Sequence, residues 1–322
     1  MKIKTRVLVT GFGGDVARGV VASIKESQLP VEVITTGLRH EPAFGHHPQP
    51  DYTLPGVNSS EYLETLKSLL ERTRATHLIP CTVGESHMIA EAVEASQFGG
   101  KLQVLCNSSA LVDVFLDKMA SMQFIQSGGI PVPETYLLSQ ISDRVDQLGQ
   151  SIIIKPRFGW GSRDVQRLSL LEFKALNACA PPNQDMVVQR DFGDFGFEFT
   201  AGVYVSPRSG IGRACILRRT LQDGRSWCVR RHISLEIEDQ LIDFSKSIGA
   251  TYLNFQGFIA PNDEFVIFEV NPRLSGSVYF QSPVMNVPAA WLIETTGHDY
   301  TFPDDPGDYS GYRLLSDVIL RD

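Results

Sequence analysis

No two cysteines in this chain show the C-x-x-C spacing of a metal or redox site. The five present, Cys81, Cys106, Cys179, Cys215 and Cys228, are scattered and odd in number, which points to reduced thiols packed as small core residues rather than to a disulfide framework. No window approaches the roughly 18 uncharged residues of a membrane span. The apolar run near the start, in MKIKTRVLVTGFGG, is short and is broken by Thr10 and then glycines, so a secretory leader is not expected. Internal repeats and low-complexity tracts are missing as well. Basic charge is in deficit, with 29 Lys and Arg against 37 Asp and Glu and a net charge of −8. That balance argues against a general nucleic-acid or anionic-membrane surface, so an anionic ligand would need local positive charge. A cytoplasmic protein with neither nucleic-acid nor membrane partners is expected. The remainder is ordinary: 322 residues, 43% hydrophobic and 20% charged, enough for two or three packed units.

Alternating signals fill the first third. Strands are read at 6–10, 31–37, 77–81 and 102–106, with helices over about 15–26, from a cap at Ser59 or Ser60 to about Arg72, and from near Gly84. Such alternation predicts a doubly wound parallel sheet over 1–107. Helical patterning over 109–127 stops at Gly128-Gly129, and the prolines of GIPVPETYLL (129–138) favour an extended connector. From Ser151 onward, strands at 151–156, 186–191, 197–205, 211–218, 252–260 and 264–271, with helices near 169–178 and 236–248, predict an α+β unit. The expected division is 1–107, 108–185 and 186–322.

Three segments carry chemistry. In SIIIKPRFGWGSRDV (151–165) three isoleucines deliver Lys155 to a strand end, followed by Gly159, Gly161 and Ser162. Glycines let backbone N–H groups approach an anion and the lysine adds a point charge, although a hairpin with a basic tip has the same pattern. In MVVQRDFGDFGFEF (186–199) a strand ends in Gln189, Arg190, Asp191 and Phe192 before Glu198. That arrangement suits either a nucleotide-binding connector or an exposed hairpin. In VIFEVNPRLSGS (266–277), Glu269, Asn271 and Arg273 follow an apolar run at two-residue spacing, which puts all three on one strand face. The turn signal at 261–263 pairs this strand with YLNFQGFIA and brings Gln256 beside Glu269. Gln256, Glu269 and Asn271 form a hard-oxygen set suited to Mg²⁺, with Mn²⁺ as the alternative, and Arg273 is one step from phosphate oxygens. A structural Glu–Arg ion pair is the competing explanation.

In this order the segments resemble the ATP-grasp superfamily, and within it the group similar to the carbamoyl phosphate synthase large subunit. The resemblance covers most of the chain and implies an α/β domain followed by an α+β ATP-grasp fold whose two lobes clasp ATP. It identifies FLDKMASMQFIQSGGIPVPET (115–135) as the opening of that fold, with Lys118 as a phosphate-binding lysine. Lys155, Gly159, Gly161 and Ser162 become the second lysine and the phosphate-covering loop. Gln189, Arg190, Asp191 and Phe192 become the adenine hinge, Glu198 the ribose-contacting acid and Gln256, Glu269 and Asn271 the metal ligands. Lys155 and Arg273 are the implied catalytic residues. Two features depart from the pattern: Phe158, Trp160 and Asp164 stand where small residues are usual, and Gln256 stands where a glutamate is expected. The implied activity is an ADP-forming carboxylate–amine ligase working through an acyl phosphate on small metabolites, with ATP and Mg²⁺.

For the acceptor, the basic segment ILRRTLQDGRSWCVRRH (216–232) offers Arg219 and Arg231, and Ser275 and Gly276 follow the metal strand. A homodimer is a further expectation. Other readings stay open: a carbamoyl-phosphate-synthase-like enzyme or carboxylate kinase without amine ligation, a non-catalytic ATP-binding subunit, and an NADP-dependent oxidoreductase built on VLVTGFGGDVARG. The last lacks the third glycine of G-x-G-x-x-G, since Val16 occupies its place, and its 2′-phosphate partner would be Arg39.

Overall fold

The computed structural model describes residues 5–38, 50–141, 144–159, 164–179 and 185–314. Gly161, Ser162, Trp160 and Arg39 therefore lie outside the described residues.

The first unit comprises β1 (Arg6–Val9), α1 (Asp15–Glu26), β2 (Glu32–Gly37), β3 (Tyr52–Thr53), α2 (Tyr62–Thr73), β4 (His77–Ile79), α3 (Val83–Glu94) and β5 (Gln103–Val104). Its strands are all parallel in the order β3-β2-β1-β4-β5, as the alternation predicted. Helix α2 begins after Glu61 without a side-chain cap, so neither Ser59 nor Ser60 is its cap. Helix α3 has a full capping box between Thr82 and Glu85, a signal present in the sequence as T-x-x-E.

The expected helix over 109–127 is two helices, α4 (Ser109–Leu116) and α5 (Lys118–Ser127). They break at Asp117, whose carboxylate accepts from the amides of Met119 and Ala120 and starts the second helix. A small sheet follows, built from β6 (Thr135–Leu137), β7 (Ser151–Pro156), β8 (Gln166–Ser169) and β9 (Met186–Arg190), with α6 (Leu170–Cys179) between the last two. The order β6-β9-β7-β8 is antiparallel. Strand β9 thus belongs to this sheet.

The large sheet is antiparallel, ordered β14-β13-β10-β11-β12-β15. Its members are β10 (Phe197–Val205), β11 (Gly212–Gln222), β12 (Arg225–His232), β13 (Tyr252–Ile259), β14 (Phe265–Asn271) and β15 (Ser310–Tyr312). Helix α7 (Leu235–Ser247) covers one face, where Phe199, Ile216, Leu241, Phe244 and Phe255 are buried together. After β14 come α8 (Val278–Gln281) and α9 (Val287–Glu294), which return to the first unit. There Val278, Met285 and Trp291 share one buried cluster with Val7 and Ile79 of the parallel sheet, Val20 of α1, and Tyr204 and Leu217 of the large sheet. This common core ties the units together, which the sequence reading did not foresee for residues beyond 278.

Candidate active site

A cavity of about 500 Å³ opens between the two antiparallel sheets, and the residues singled out in three separate segments line it. Strand β7 carries Lys155 in from the small sheet. Its side chain is 5% exposed, and its ammonium donates to the Phe268 carbonyl at 3.1 Å and lies 5.4 Å from that ring's centre. Lys118, the first residue of α5, donates to the Gly159 carbonyl at 2.8 Å. Asp117, besides capping α5, grips Arg157 through both carboxylate oxygens, fixing the end of β7 against the helix. Burial, chiefly, draws the Lys155 ammonium down to about 8, with Lys118 beside it acting in the same direction and Glu269 opposing. Lys118 is lowered as well, again chiefly by burial, with Glu269 and Asp117 opposing.

The opposite wall is one face of the large sheet. Register places Gln256 against both Glu269 and Thr200, so Glu198, Arg219, Gln256 and Glu269 all project into the cavity. Asn271 donates Nδ2 to Glu269 Oε1 at 3.1 Å, which leaves its Oδ1 as the atom to meet a cation. Asn271 is buried and, unlike Glu269, is not part of the cavity wall; its amide oxygen and the Glu269 carboxylate are the pair that would meet a divalent cation. Among the described residues no group of three His, Cys, Asp or Glu could hold one. Gly257 permits this hairpin: a Cβ there would sit 2.1 Å from the Val266 carbonyl, where the β13–β14 register shifts. Gly257→Ala is expected to lose about 1–3 kcal/mol in urea unfolding and to weaken any ligand that uses Gln256 or Glu269.

Between the walls runs the β9 hinge. Gln189 is buried and donates to Thr135 Oγ1 at 2.8 Å, Arg190 lies over the Phe192 ring, and Asp191 accepts from Arg167, Ser151 and the Gly193 amide. All four hinge residues line the cavity. With its oxygens already engaged, Asp191 shapes the hinge rather than offering a free carboxylate.

Four expected residues stand elsewhere or differently. Arg273 is not part of the cavity wall; its Nη1 donates to the Leu274 carbonyl at 2.7 Å, and its Nε is buried without a partner. Arg231 is 3% exposed and pairs with Glu238 at 2.6 Å and Asp305 at 2.9 Å. Two neighbouring carboxylates pair with it inside the fold, so it holds β12 to α7 and the C-terminal segment, and it does not line the cavity between the two antiparallel sheets. Ser275 and Gly276 lie outside the cavity wall; the Gly276 carbonyl accepts from Arg313 at 2.8 Å and the residue packs beside Asp15 at the start of α1. Arg219 faces the cavity, bonded to Glu198 and Gln256. Sequence reasoning missed Phe268, which reads as core in an apolar run, and the Asp117–Arg157 pair, for which D-K at a helix start was the available signal.

Loss of the Lys155 proton should be visible in binding. Between its folded value of about 8 and the ordinary lysine value of about 10.4, the unliganded site is progressively neutral. Anion affinity should then be flat below about pH 7 and fall by up to tenfold per pH unit above about 8. Calorimetric titration with a nucleotide from pH 6.5 to 9.5 checks this, and Lys155→Arg should flatten the profile.

No protein-family model matches the chain. The carbamoyl phosphate synthase large chain of Rubrobacter xylanophilus is 22% identical over 288 residues, covering 80% of this chain and 27% of that relative's length. Among solved structures, the biotin carboxylase domain of Hydrogenobacter thermophilus 2-oxoglutarate carboxylase, in complex with MgADP, ADP and bicarbonate, superposes with a TM-score of 0.69 at 15% identity. That match covers 93% of this chain and 71% of the other. The N5-carboxyaminoimidazole synthetase of Staphylococcus aureus, complexed with ADP, gives a TM-score of 0.70 at 13% identity, covering 98% and 84%. These structures share the fold of this chain across nearly its whole length, a parallel sheet followed by two antiparallel sheets, which is the ATP-grasp fold.

Proposed function

We propose that this protein is an ATP-dependent, ADP-forming ligase that activates a carboxylate as its acyl phosphate and passes the acyl group to an amine. The observation that carries the reading is the buried Lys155, held with Lys118 on one wall of the cavity opposite Glu269. Burying the Lys155 cation beside a second, half-buried lysine costs free energy unless an anion joins them, and a perturbed lysine in a cleft marks a functional site. A triphosphate meets that requirement, and the β9 hinge supplies an apolar edge for a base. The two solved structures described above were crystallised with ADP, one of them also with MgADP.

In this reading Lys118 and Lys155 neutralise phosphate oxygens, while Gln189–Phe192 seat the adenine and Glu198 meets the ribose. Glu269 and Asn271 would hold Mg²⁺, which when bound neutralises further phosphate charge; Mn²⁺ suits the same oxygens. The protein's contribution is positioning and electrostatic stabilisation, since phosphoryl transfer asks little covalent chemistry of it. A carboxylate oxygen of the acceptor attacks the terminal phosphorus as ADP leaves. The amine then attacks the acyl carbon and inorganic phosphate departs. Arg273, two residues beyond the end of β14, is proposed to act near the transferred phosphate.

The test is release of ADP and phosphate from MgATP across a panel of carboxylates and amines, with Lys155→Ala as the blank. Release that needs one carboxylate and one amine together, with their condensed mass in the product, supports a ligase. Release driven by a single carboxyl compound or bicarbonate, without condensation, moves the reading to a carboxylate kinase or a carbamoyl-phosphate-type reaction. A homodimer belongs to the same proposal, and sedimentation tests it.

A further inference from the structure

The large sheet has a second face, and the basic segment 216–232 places charge there too. Adjacent residues on a strand point to opposite sides. Glu198 and Arg219 therefore enter the cavity, while Phe197 and Arg218 turn to the face that α7 packs on. Register sets Arg230 of β12 directly opposite Arg218 of β11. With His232 and Ile233 they line a separate pocket of about 330 Å³. Like charges directly opposite each other weaken a sheet, and this pair stands in a chain of net charge −8. Among the described residues Arg218 makes no ion pair and no hydrogen bond; its guanidinium lies over the Phe197 ring at 5.0 Å. That ring is in turn set edge-on against His232, 5.1 Å between centres. Arg230 meets Asp308 at 3.1 Å, but the two side chains are 65% and 68% exposed, and exposed pairs of this kind hold weakly. Arg231, also at the pocket, is already paired with Glu238 and Asp305. His232 stands 3.5 Å from Asp263. Burial, chiefly, lowers its proton affinity, with Arg231 and Arg218 acting in the same direction and Asp263 opposing. The pocket thus presents one unpaired and one weakly paired guanidinium beside a neutral imidazole.

From this we infer that the pocket is a second ligand site, for a phosphate dianion gripped jointly by Arg218 and Arg230, either free or carried on a small molecule as a monoester. A guanidinium offers a planar fork of donors matched to phosphate oxygens. A phosphate monoester carries about −1.5 to −2 at pH 7, enough to join two such cations and remove their repulsion. At about 330 Å³ the pocket falls in the lower range of small-molecule sites and has room for more than a lone phosphate. Ile233, 47% exposed in the pocket wall, offers apolar surface to a short carbon skeleton. The acidic chain repels a long polyanion, which argues against nucleic acid as the carrier. The site stands independently of the nucleotide reading, since the cavity lies on the other face of the sheet.

The experiment follows the arginine Nε–H resonances of the isotope-labelled full-length chain during titration with glycerol 3-phosphate and, separately, with inorganic phosphate. Arg218→Gln and Arg230→Gln identify their own signals by the peak each removes, and Arg219→Gln does the same for the cavity. In the native chain the Arg218 and Arg230 signals should shift together and saturate while Arg219 stays in place. Followed at Arg230, Arg218→Gln should bind about ten- to a hundredfold more weakly, the loss of one charge-assisted contact. Lys155→Ala, which removes charge from the cavity, should leave these shifts as they are. Tighter binding of glycerol 3-phosphate identifies a monoester as the occupant and equal or tighter binding of inorganic phosphate the free ion; either result upholds the site. Shifts that grow without saturating, shifts confined to Arg219, or unaltered affinity in Arg218→Gln would overturn it. Circular dichroism establishes that the variants fold; if Arg218→Gln does not, saturation at both native signals decides alone.

Discussion

Lys155→Ala is expected to lower ATP turnover at least a hundredfold while leaving the fold intact or firmer. The ammonium is buried, its neighbours are a backbone carbonyl, an aromatic face and a second lysine, and Glu269 is the carboxylate that opposes its burial. Without ligand, this cation is a burden on the fold, and its lowered proton affinity measures that burden. With triphosphate bound it becomes a charge-assisted donor worth about 1.5–3 kcal/mol in binding. It contributes more as charge shifts during transfer, and each 1.36 kcal/mol lost from the transition state is about tenfold in rate. Activity and stability should therefore move apart. Single-turnover ATP hydrolysis or transfer and thermal unfolding, run on the same preparation, check both halves. Equal losses in the two would indicate that Lys155 is structural.

Glu269→Ala should be more severe, about a thousandfold or more in turnover, because it removes the charged oxygen of the proposed cation pair and several kcal/mol of neutralisation with it. It also has a signature no merely structural residue would produce. Glu269 helps hold the Lys155 and Lys118 protons on against burial, joined at Lys118 by Asp117. Without it both lysines should deprotonate at lower pH, so residual nucleotide binding should fail below the pH at which the native chain begins to lose affinity. Titrations at several pH values, with and without Mg²⁺, separate the two effects: the variant should lose its dependence on the cation and shift its basic limb to lower pH. Glu269→Gln should keep the hairpin and show the same shift. An unchanged basic limb in both variants would detach Glu269 from the lysines.

How much of this was legible in the residues depended on whether the information was local. The run Glu269–Asn271–Arg273 could be read because a strand's two-residue period needs no partner, and the turn at 261–263 fixed Gln256 beside Glu269 within one hairpin. Lys155 at the end of three isoleucines was local as well. Arg219 was not: its meaning depends on β11 lying next to β10, and β10 next to β13, an ordering that neighbouring residues do not determine. The same basic segment hid strand β12, since RSWCVRRH alternates poorly, with Arg231 buried while Arg230 is exposed. Strand β8 escaped because QRLS is short, polar and half exposed at a sheet edge. The break at Asp117 reads as one continuous helix until the carboxylate is seen capping the second half. The apolar side chains after Val278 complete the core between the parallel and large sheets, a long-range contact that no local pattern announces.

The reading as a whole turns on whether a nucleotide occupies the cavity between the two antiparallel sheets. The most direct measurement is calorimetric titration with the magnesium complex of a non-hydrolysable ATP analogue, followed by backbone hydrogen exchange on the saturated protein. One-to-one binding is expected, with exchange slowed along Ser151–Pro156, Met186–Arg190, Tyr252–Ile259 and Phe265–Asn271 and unchanged in the glycine turn after β1. Absence of binding by the folded chain, or protection at that glycine turn with the cavity strands unaffected, would contradict it.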